Sequence, residues 1–293
     1  MPPAPAAEMP LAPAVPELSE LAGDAQARRS RHRRREARIL SVWRLAVLAM
    51  ALLAWSLVSL ATSPLILPGP GAVLVHLVRH APLILKNLWV TLAEILLGFL
   101  AGSAVGIATG TAIAHSRRLE AIFRPYVTTS QAVPKAALAP IFVLWLGFGI
   151  GPKVTIAALI SFFPLLENTI VGLRRVDPDA LRLFASLGAS PRQVFTKLRL
   201  PNGLPYIMAG LRVGVVFATV GAIVGEFVTA NQGLGALIVI AQGNFDTKLM
   251  FAVIAVLTAM GVLLYDLVRV LERALLRRYN LGEGEIELHR MDP

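Results

Sequence analysis

Few ionisable side chains stand at depth in the apolar stretches of this 293-residue chain, and Glu94, Lys135, Glu167 and Glu226 are the ones to account for. A charge at the centre of a bilayer costs about 2.5–3.5 kcal/mol even on the mildest insertion scale, so each should face protein or water. Glu94 and Glu167 are the best candidates for buried roles, and buried carboxylates of this kind can relay protons. Lys135 lies within three turns of the end of its stretch and has the reach to snorkel. Glu226, in V-G-E-F-V, sits near the end of its stretch and can meet interfacial water. Glu167 is followed by Asn168 and preceded by Phe162-Phe163-Pro164. Rings, an amide and a carboxylate within two turns can line the path of a small polar or aromatic solute; structural hydrogen bonding accounts for them equally well.

Other chemistry is missing. The chain has no cysteine, hence no disulfide framework and no thiolate site. His76 and His80 share a face at i and i+4, but two histidines alone make a poor metal site, and the segment reads as an interfacial helix. No metal site is expected. There is no G-x-x-x-x-G-K-[ST] loop. A membrane-embedded enzyme would want clustered His, Asp or Glu, and none of the five histidines clusters inside an apolar stretch.

The elements that must position these residues follow from composition. Hydrophobic residues make up 56% of the chain and charged ones 16%, with a mean hydropathy of +0.66. The apolar residues fall in blocks that reach the ~20 residues a bilayer demands. Six helical spans are read: 40–62, 88–114, 127–148, 153–173, 206–229 and 248–270. The net charge of +10 does not point to nucleic acid, because the basic run Arg28–Arg38 precedes the first span without interleaved aromatics. That run suits anionic lipid headgroups. With the N-terminus cytoplasmic, only Arg79, Lys86, Lys153 and Lys248 of the 28 Lys and Arg residues lie outside. Both termini are therefore expected inside.

Four regions result: a disordered basic leader over 1–38, a first helix and external loop over 39–84, a main membrane domain over 85–278, and a cytoplasmic tail over 279–293. A cleaved signal peptide is not expected, since the first apolar run is too long and lies behind a polar leader.

Gly98, Gly102, Gly106 and Gly110 recur every fourth residue and leave a groove where another helix can approach, within this chain or from a second one. Pro134 and Pro140 in the third span and Pro164 in the fourth should bend or interrupt their helices. Broken helices often line transport paths. The path candidates are Gln131, Pro134, Phe162, Phe163, Pro164, Glu167, Asn168 and Glu226.

The charged loop over 174–204 carries the most specific signal. Asp177-Pro178-Asp179 makes an acidic helix start with a proline, Gly188 permits a sharp turn, and Pro201 and Pro205 launch the next span. Gly188 is followed after nine residues by Leu198-Arg199-Leu200-Pro201. This spacing resembles the E-A-A-x3-G-x9-I-x-L-P loop of the permease subunits of bacterial ABC importers. The segments T-L-A-E-I-L-L-G-F-L-A-G (91–102), Q-A-V-P-K-A-A-L-A-P-I-F-V-L-W-L-G-F-G (131–149), V-G-E-F-V, Q-G-L-G (232–235) and N-F-D-T (244–247) are similar to the nitrate/sulfonate/taurine-type branch. That branch includes relatives for thiamine-precursor pyrimidines and riboflavin. One departure stands out: the E-A-A positions hold Arg182, Leu183 and Phe184.

The resemblance implies an all-α type I importer permease in the bacterial inner membrane. Two permease subunits, here expected to be copies of one chain, would form the pore. Two cytoplasmic ATPases would hold the ATP and Mg, leaving no cofactor and no catalysis on this chain, and an extracytoplasmic solute-binding protein would deliver the cargo. The coupling residues implied are Asp179, Ala185, Gly188, Ala189, Leu198, Leu200 and Pro201. The alternative is a proton-coupled transporter using Glu94 and Glu167 without an ATPase.

Overall fold

The structure, a computed structural model, describes residues 39, 42, 43 and 45–278. The expected leader over 1–38 and tail over 279–293 lie outside the described residues, as does the placement of both termini. Every regular element described is helical. Two compact units separate at Ala61/Thr62. The first holds α1, Leu45–Ala61, an apolar helix in the place of the first expected span.

The second unit begins earlier than the expected boundary at 84/85, because the segment after α1 is tied to the far end of the chain. Thr247 Oγ1 donates to the Leu65 carbonyl at 2.6 Å, and His76 Nε2 meets Asp246 Oδ2 at 3.1 Å. This unit contains α2 (Pro70–Arg79), α3 (Ala81–His115), α4 (Arg117–Gln131), a 3-10 turn (Lys135–Leu138) and α5 (Ala139–Leu146). There follow α6 (Ile150–Arg174), α7 (Pro178–Ser186), α8 (Pro191–Val194), a π segment (Phe195–Arg199), α9 (Leu200–Thr229), α10 (Leu234–Gly243) and α11 (Thr247–Arg278). Among the described residues, α3, α6, the run from α8 through α9, and α11 are long and apolar enough to cross a membrane.

The third expected span, 127–148, is corrected to a bent pair. It starts at Arg117, breaks at Ala132–Pro134 and resumes at Lys135, with an 82° bend. Pro134 lacks an N–H and pushes Val133 out of the helical region, so the ladder cannot run through. Pro164 behaves differently from expectation: α6 continues through it from Ile150 to Arg174. Sequence periodicity also missed α10, a ten-residue helix between two spans.

The core is α6 held between α3 and α9. A Cβ placed on Gly98 would lie 2.4 Å from Ala157 Cβ, and one on Gly102 2.3 Å from Ser161 Oγ. The same register continues with Gly106 against Leu165 and Gly110 against Thr169, each at 2.8 Å. Both sequences advance by four, so α3 and α6 run parallel with their backbones in close approach. On the other side α9 runs antiparallel: Gly203 meets Leu173, Gly214 meets Leu165, Gly221 meets Ala157 and Gly225 meets Lys153. The glycine groove is thus filled from within the chain.

Gly102→Leu should destabilise the protein by at least about 1–3 kcal/mol through overpacking. Gly261→Ala, where an added Cβ meets nothing within 4 Å, should leave stability within about 1 kcal/mol of the starting protein. Thermal unfolding of the two variants in detergent checks the contrast; equal melting temperatures would contradict the packing described.

Candidate functional site

The helix α7 is built by local signals. Asp177 caps it, accepting a hydrogen bond from the Asp179 N–H at 2.9 Å, and Pro178 occupies the first turn. At the other end the N–H groups of Leu187, Gly188 and Ala189 return to the carbonyls of Leu183, Ala185 and Phe184. Gly188 takes φ +68, a left-handed turn that costs an L-residue roughly 1 kcal/mol or more. Ser190 and Gln193 form a reciprocal capping box for α8.

No residue of α7 is buried, and Leu183 and Leu187 are 57% and 74% exposed. Arg182, which stands where the resembling loops have glutamate, pairs with Asp179 at 2.8 Å on the exposed surface. Leu198 lies in the π segment, and Leu200 and Pro201 open α9. Arg199 Nη1 reaches the Ala114 carbonyl at 3.4 Å, joining this loop to the end of α3.

The face of α6 turned away from α3 and α9 is open. Phe163 and Glu167 are half-buried along it; Phe162 packs against Ile113, Val127, Leu166 and Ile170, Pro164 and Asn168 lie against Gly210 of α9, and Gln131 and Pro134 are exposed at the break. Phe162 and Phe163 pack edge to face with centroids 4.9 Å apart. Asn168 Nδ2 donates to the Pro164 carbonyl at 2.8 Å. Lys135, whose length suggested snorkelling, instead sits with Nζ 4.4 Å from the Phe163 ring centroid.

Toward the α7 end, Glu167 lines a cavity of about 250 Å³ together with Glu120, Arg124, Arg174 and Arg175. There Glu120 Oε2 meets Arg174 Nη2 at 2.9 Å and Oε1 meets Arg124 Nη1 at 3.1 Å. The Arg175 guanidinium lies 5.6 Å from the Tyr206 ring centroid.

A third cluster closes the opposite end. Lys153, counted among the outside charges, is buried in the first turn of α6, at the end of that helix away from α7. It is 2% exposed, and its Nζ meets Glu94 Oε1 at 2.9 Å and donates to the Gln232 carbonyl at 2.8 Å. Glu226 is fully buried beside it, so its carboxylate faces neither interfacial water nor an open path within this chain. It accepts from Thr91 Oγ1 at 2.6 Å and from the Gly235 N–H, while the Leu234 N–H donates to Thr91 Oγ1 at 2.8 Å. Asn87 Oδ1 takes the Gly233 N–H at 2.9 Å. Gly233 has φ +107, and a Cβ there would fall 1.8 Å from Glu226 Oε1. The loop after α9 therefore wraps a carboxylate, and only glycine fits the wrap.

This knot engages Glu94 in an ion pair between α3 and α6. Thr91, Gly233 and the burial of Lys153 were missed from sequence because the strips of the knot are far apart along the chain, with Lys153 and Gln232 alone 79 positions apart. At the α2 end, His76 and His80 stack with centroids 4.1 Å apart, and His76 joins Asp246, which also caps α11 through the Leu249 N–H.

A family described as "Binding-protein-dependent transport system inner membrane component" matches residues 81–279. A probable ABC transporter permease protein of Haemophilus influenzae is 37% identical over 223 residues, covering 75% of this chain and 91% of that protein. The riboflavin transport system permease protein of Chloroflexus aurantiacus is 39% identical over 214 residues, 72% of this chain and 80% of that one. The taurine transport system permease protein of Escherichia coli is 32% identical over 256 residues, 85% and 91% of the two chains. The fold matches that of the inward-facing methionine ABC transporter MetNI, with TM-score 0.57 and 18% identity over 69% of this chain and 98% of the other.

Removing one partner of a buried ion pair costs about 3–5 kcal/mol, whereas replacing both by apolar groups is often neutral. Lys153→Met should therefore lower the melting temperature sharply, and Glu94→Leu combined with Lys153→Met should recover most of the loss. A double-mutant cycle in detergent checks this; additive losses would contradict the pairing.

Proposed function

The chain belongs to the family of binding-protein-dependent transport system inner membrane components, and from that premise we propose that it is the pore-forming subunit of an ATP-driven ABC importer. It works as one of two copies in the bacterial inner membrane. Two separate ATPase subunits hold ATP and Mg on the cytoplasmic side, where both termini of this chain lie. An extracytoplasmic solute-binding protein delivers a small solute of the sulfonate or taurine kind, or of the pyrimidine or riboflavin kind. The chain itself hydrolyses nothing.

The observation that carries this reading is α7. An amphipathic helix joins two spans, buries no residue of its own, and presents Leu183 and Leu187 to solvent. Exposed leucines at a helix end suit docking into a groove on a partner. The loop 174–199 is also rich in arginine, as expected of a segment facing the cytoplasm.

The mechanism is alternating access. ATP binding draws the two ATPases together and carries α7 of each copy with them. Only Arg175–Asp177 separates α7 from α6, and α6 is packed backbone to backbone against α3 and α9. The three helices then move as one block, and the path between the copies opens to the outside. Hydrolysis and release return it. The open face of α6 supports the pairing, because Glu167 on it and Lys135 over the Phe163 ring would be costly against lipid and need protein or water across from them.

Leu183→Asp combined with Leu187→Asp should leave the fold within about 0.5 kcal/mol per site, since both positions are exposed. It should abolish co-purification with the ATPase, each anchor contributing about 2 kcal/mol or more. Pull-down of the neighbouring ATPase from detergent extracts measures this. Retained ATPase in the double variant, or ATP hydrolysis by this chain purified alone, would overturn the reading.

A further inference from the structure

Two helices of this chain end in the same hydrogen-bonded turn and fill its critical position differently. After α7 the Gly188 and Ala189 N–H groups return to the carbonyls of Ala185 and Phe184, at 3.1 and 3.0 Å. After α10 the Phe245 and Asp246 N–H groups return to the carbonyls of Gln242 and Ala241, at 3.1 and 2.9 Å. Such a turn puts one residue just past the helix in left-handed backbone. Glycine is usual there, because the Cβ of any other residue crowds the following carbonyl. Gly188 takes the position at φ +68 and Phe245 at φ +56. Among the described residues, the only other non-glycine residue with positive φ is Ala230.

Packing among the described residues does not offset this cost, because Phe245 is 81% exposed. The turn is held by its neighbours instead. Asp246 caps α11 through the Leu249 N–H and meets His76 of α2, each at 3.1 Å, and Thr247 donates to the Leu65 carbonyl at 2.6 Å. Gln242, Asn244 and Lys248 are exposed on either side of the ring in sequence. Leu65 and Ile66, on the segment that Thr247 ties down, are 70% and 69% exposed. An exposed aromatic with apolar neighbours and a polar rim has the anatomy of an interface anchor. A residue locked in costly backbone by its surroundings points the same way, since such strain persists where function uses it.

We infer that Phe245 is a docking anchor for the solute-binding protein, inserting its ring into an apolar socket on that protein with Gln242, Asn244 and Lys248 at the rim. This rests on the importer reading above, which puts the end of the bundle opposite α7 outside the cell membrane. It deepens that reading by naming the surface that meets the partner. Lipid is the rival occupant. The headgroup region is fluid and takes an aromatic ring at many depths and directions, so it does not require one residue locked in left-handed backbone. A folded partner reads a fixed position, and an anchor ordered in advance loses less freedom on binding.

The test uses the full complex, this chain with the ATPase encoded beside it, in lipid nanodiscs that leave both faces accessible. ATP hydrolysis is followed as the purified solute-binding protein is added. Phe245→Gly and Phe245→Asn both accept the left-handed turn and remove the ring. Each should raise the binding-protein concentration for half-maximal stimulation about tenfold or more, the loss of one anchor. Each should melt no lower than the starting complex, since strain goes with the ring, and Phe245→Tyr should keep most of the affinity. Half-saturation unchanged in both variants overturns the inference while leaving the importer intact. A marked fall in melting temperature in detergent and nanodiscs alike makes the ring a packing element and also overturns it. A fall in nanodiscs alone, with half-saturation unchanged, assigns the ring to lipid instead. No stimulation of the starting complex by the binding protein overturns the importer reading and this inference together.

Discussion

Backbone contact between α6 and its two neighbours is the constraint on which the rest depends. In lipid, an apolar side chain gains little by exchanging hydrocarbon for protein, so helices associate through close approach and van der Waals packing. Here glycines at four-residue spacing on α3 and at matching positions on α9 bring both helices onto α6 with no room for a methyl group. One consequence is rigidity, since no member of the trio can rotate without collision. Another is orientation. Two faces of α6 are occupied by packing, and the remaining face, with Phe163 and Glu167, is left for water, solute or a second copy.

The two ends of this block differ in kind. At one end the Glu94–Lys153 pair and the wrapped Glu226 carboxylate fix α3, α6, α9 and the loop before α10 to one another, all within the buried interior. At the other end α7 is exposed, and only the turn Arg175–Asp177 lies between it and α6. Force applied to α7 therefore meets a body that is stiff along its length and pinned at its far end. A rigid-body rotation of the block is the motion this arrangement favours, rather than bending within α6, which stays helical even through Pro164.

Much of this was legible in the sequence for identifiable reasons. The glycine stripe, the apolar blocks and the caps of α7 are local patterns, and local physics determines them. Pro134 announced the break, but not that the span would begin ten residues early and bend by 82°. Pro164 announced an interruption that close packing on both sides of α6 suppresses. The burial of Lys153 was not legible, because its partner Glu94 lies far away along the chain. The same holds for Lys135. Sequence offered snorkelling, the ordinary fate of a lysine near a span's end, and only the fold brings Phe163 beneath its ammonium. The helix α10 is too short to stand out from the apolar spans around it.

The central claim is that nucleotide on a partner ATPase moves α7 and, with it, a rigid α3–α6–α9 block. The chain has no native cysteine, so a single cysteine at Ser186 in α7 can carry a spin label without background. Pulsed electron-spin distance measurements between two copies in the reconstituted complex, with and without ATP, test the claim most directly. The account predicts a well-defined distance between the two labels that shifts when ATP is added, with a label at exposed Val105 on α3 shifting in the same experiment. An absent pair signal, or distances at Ser186 that ignore ATP, would contradict it.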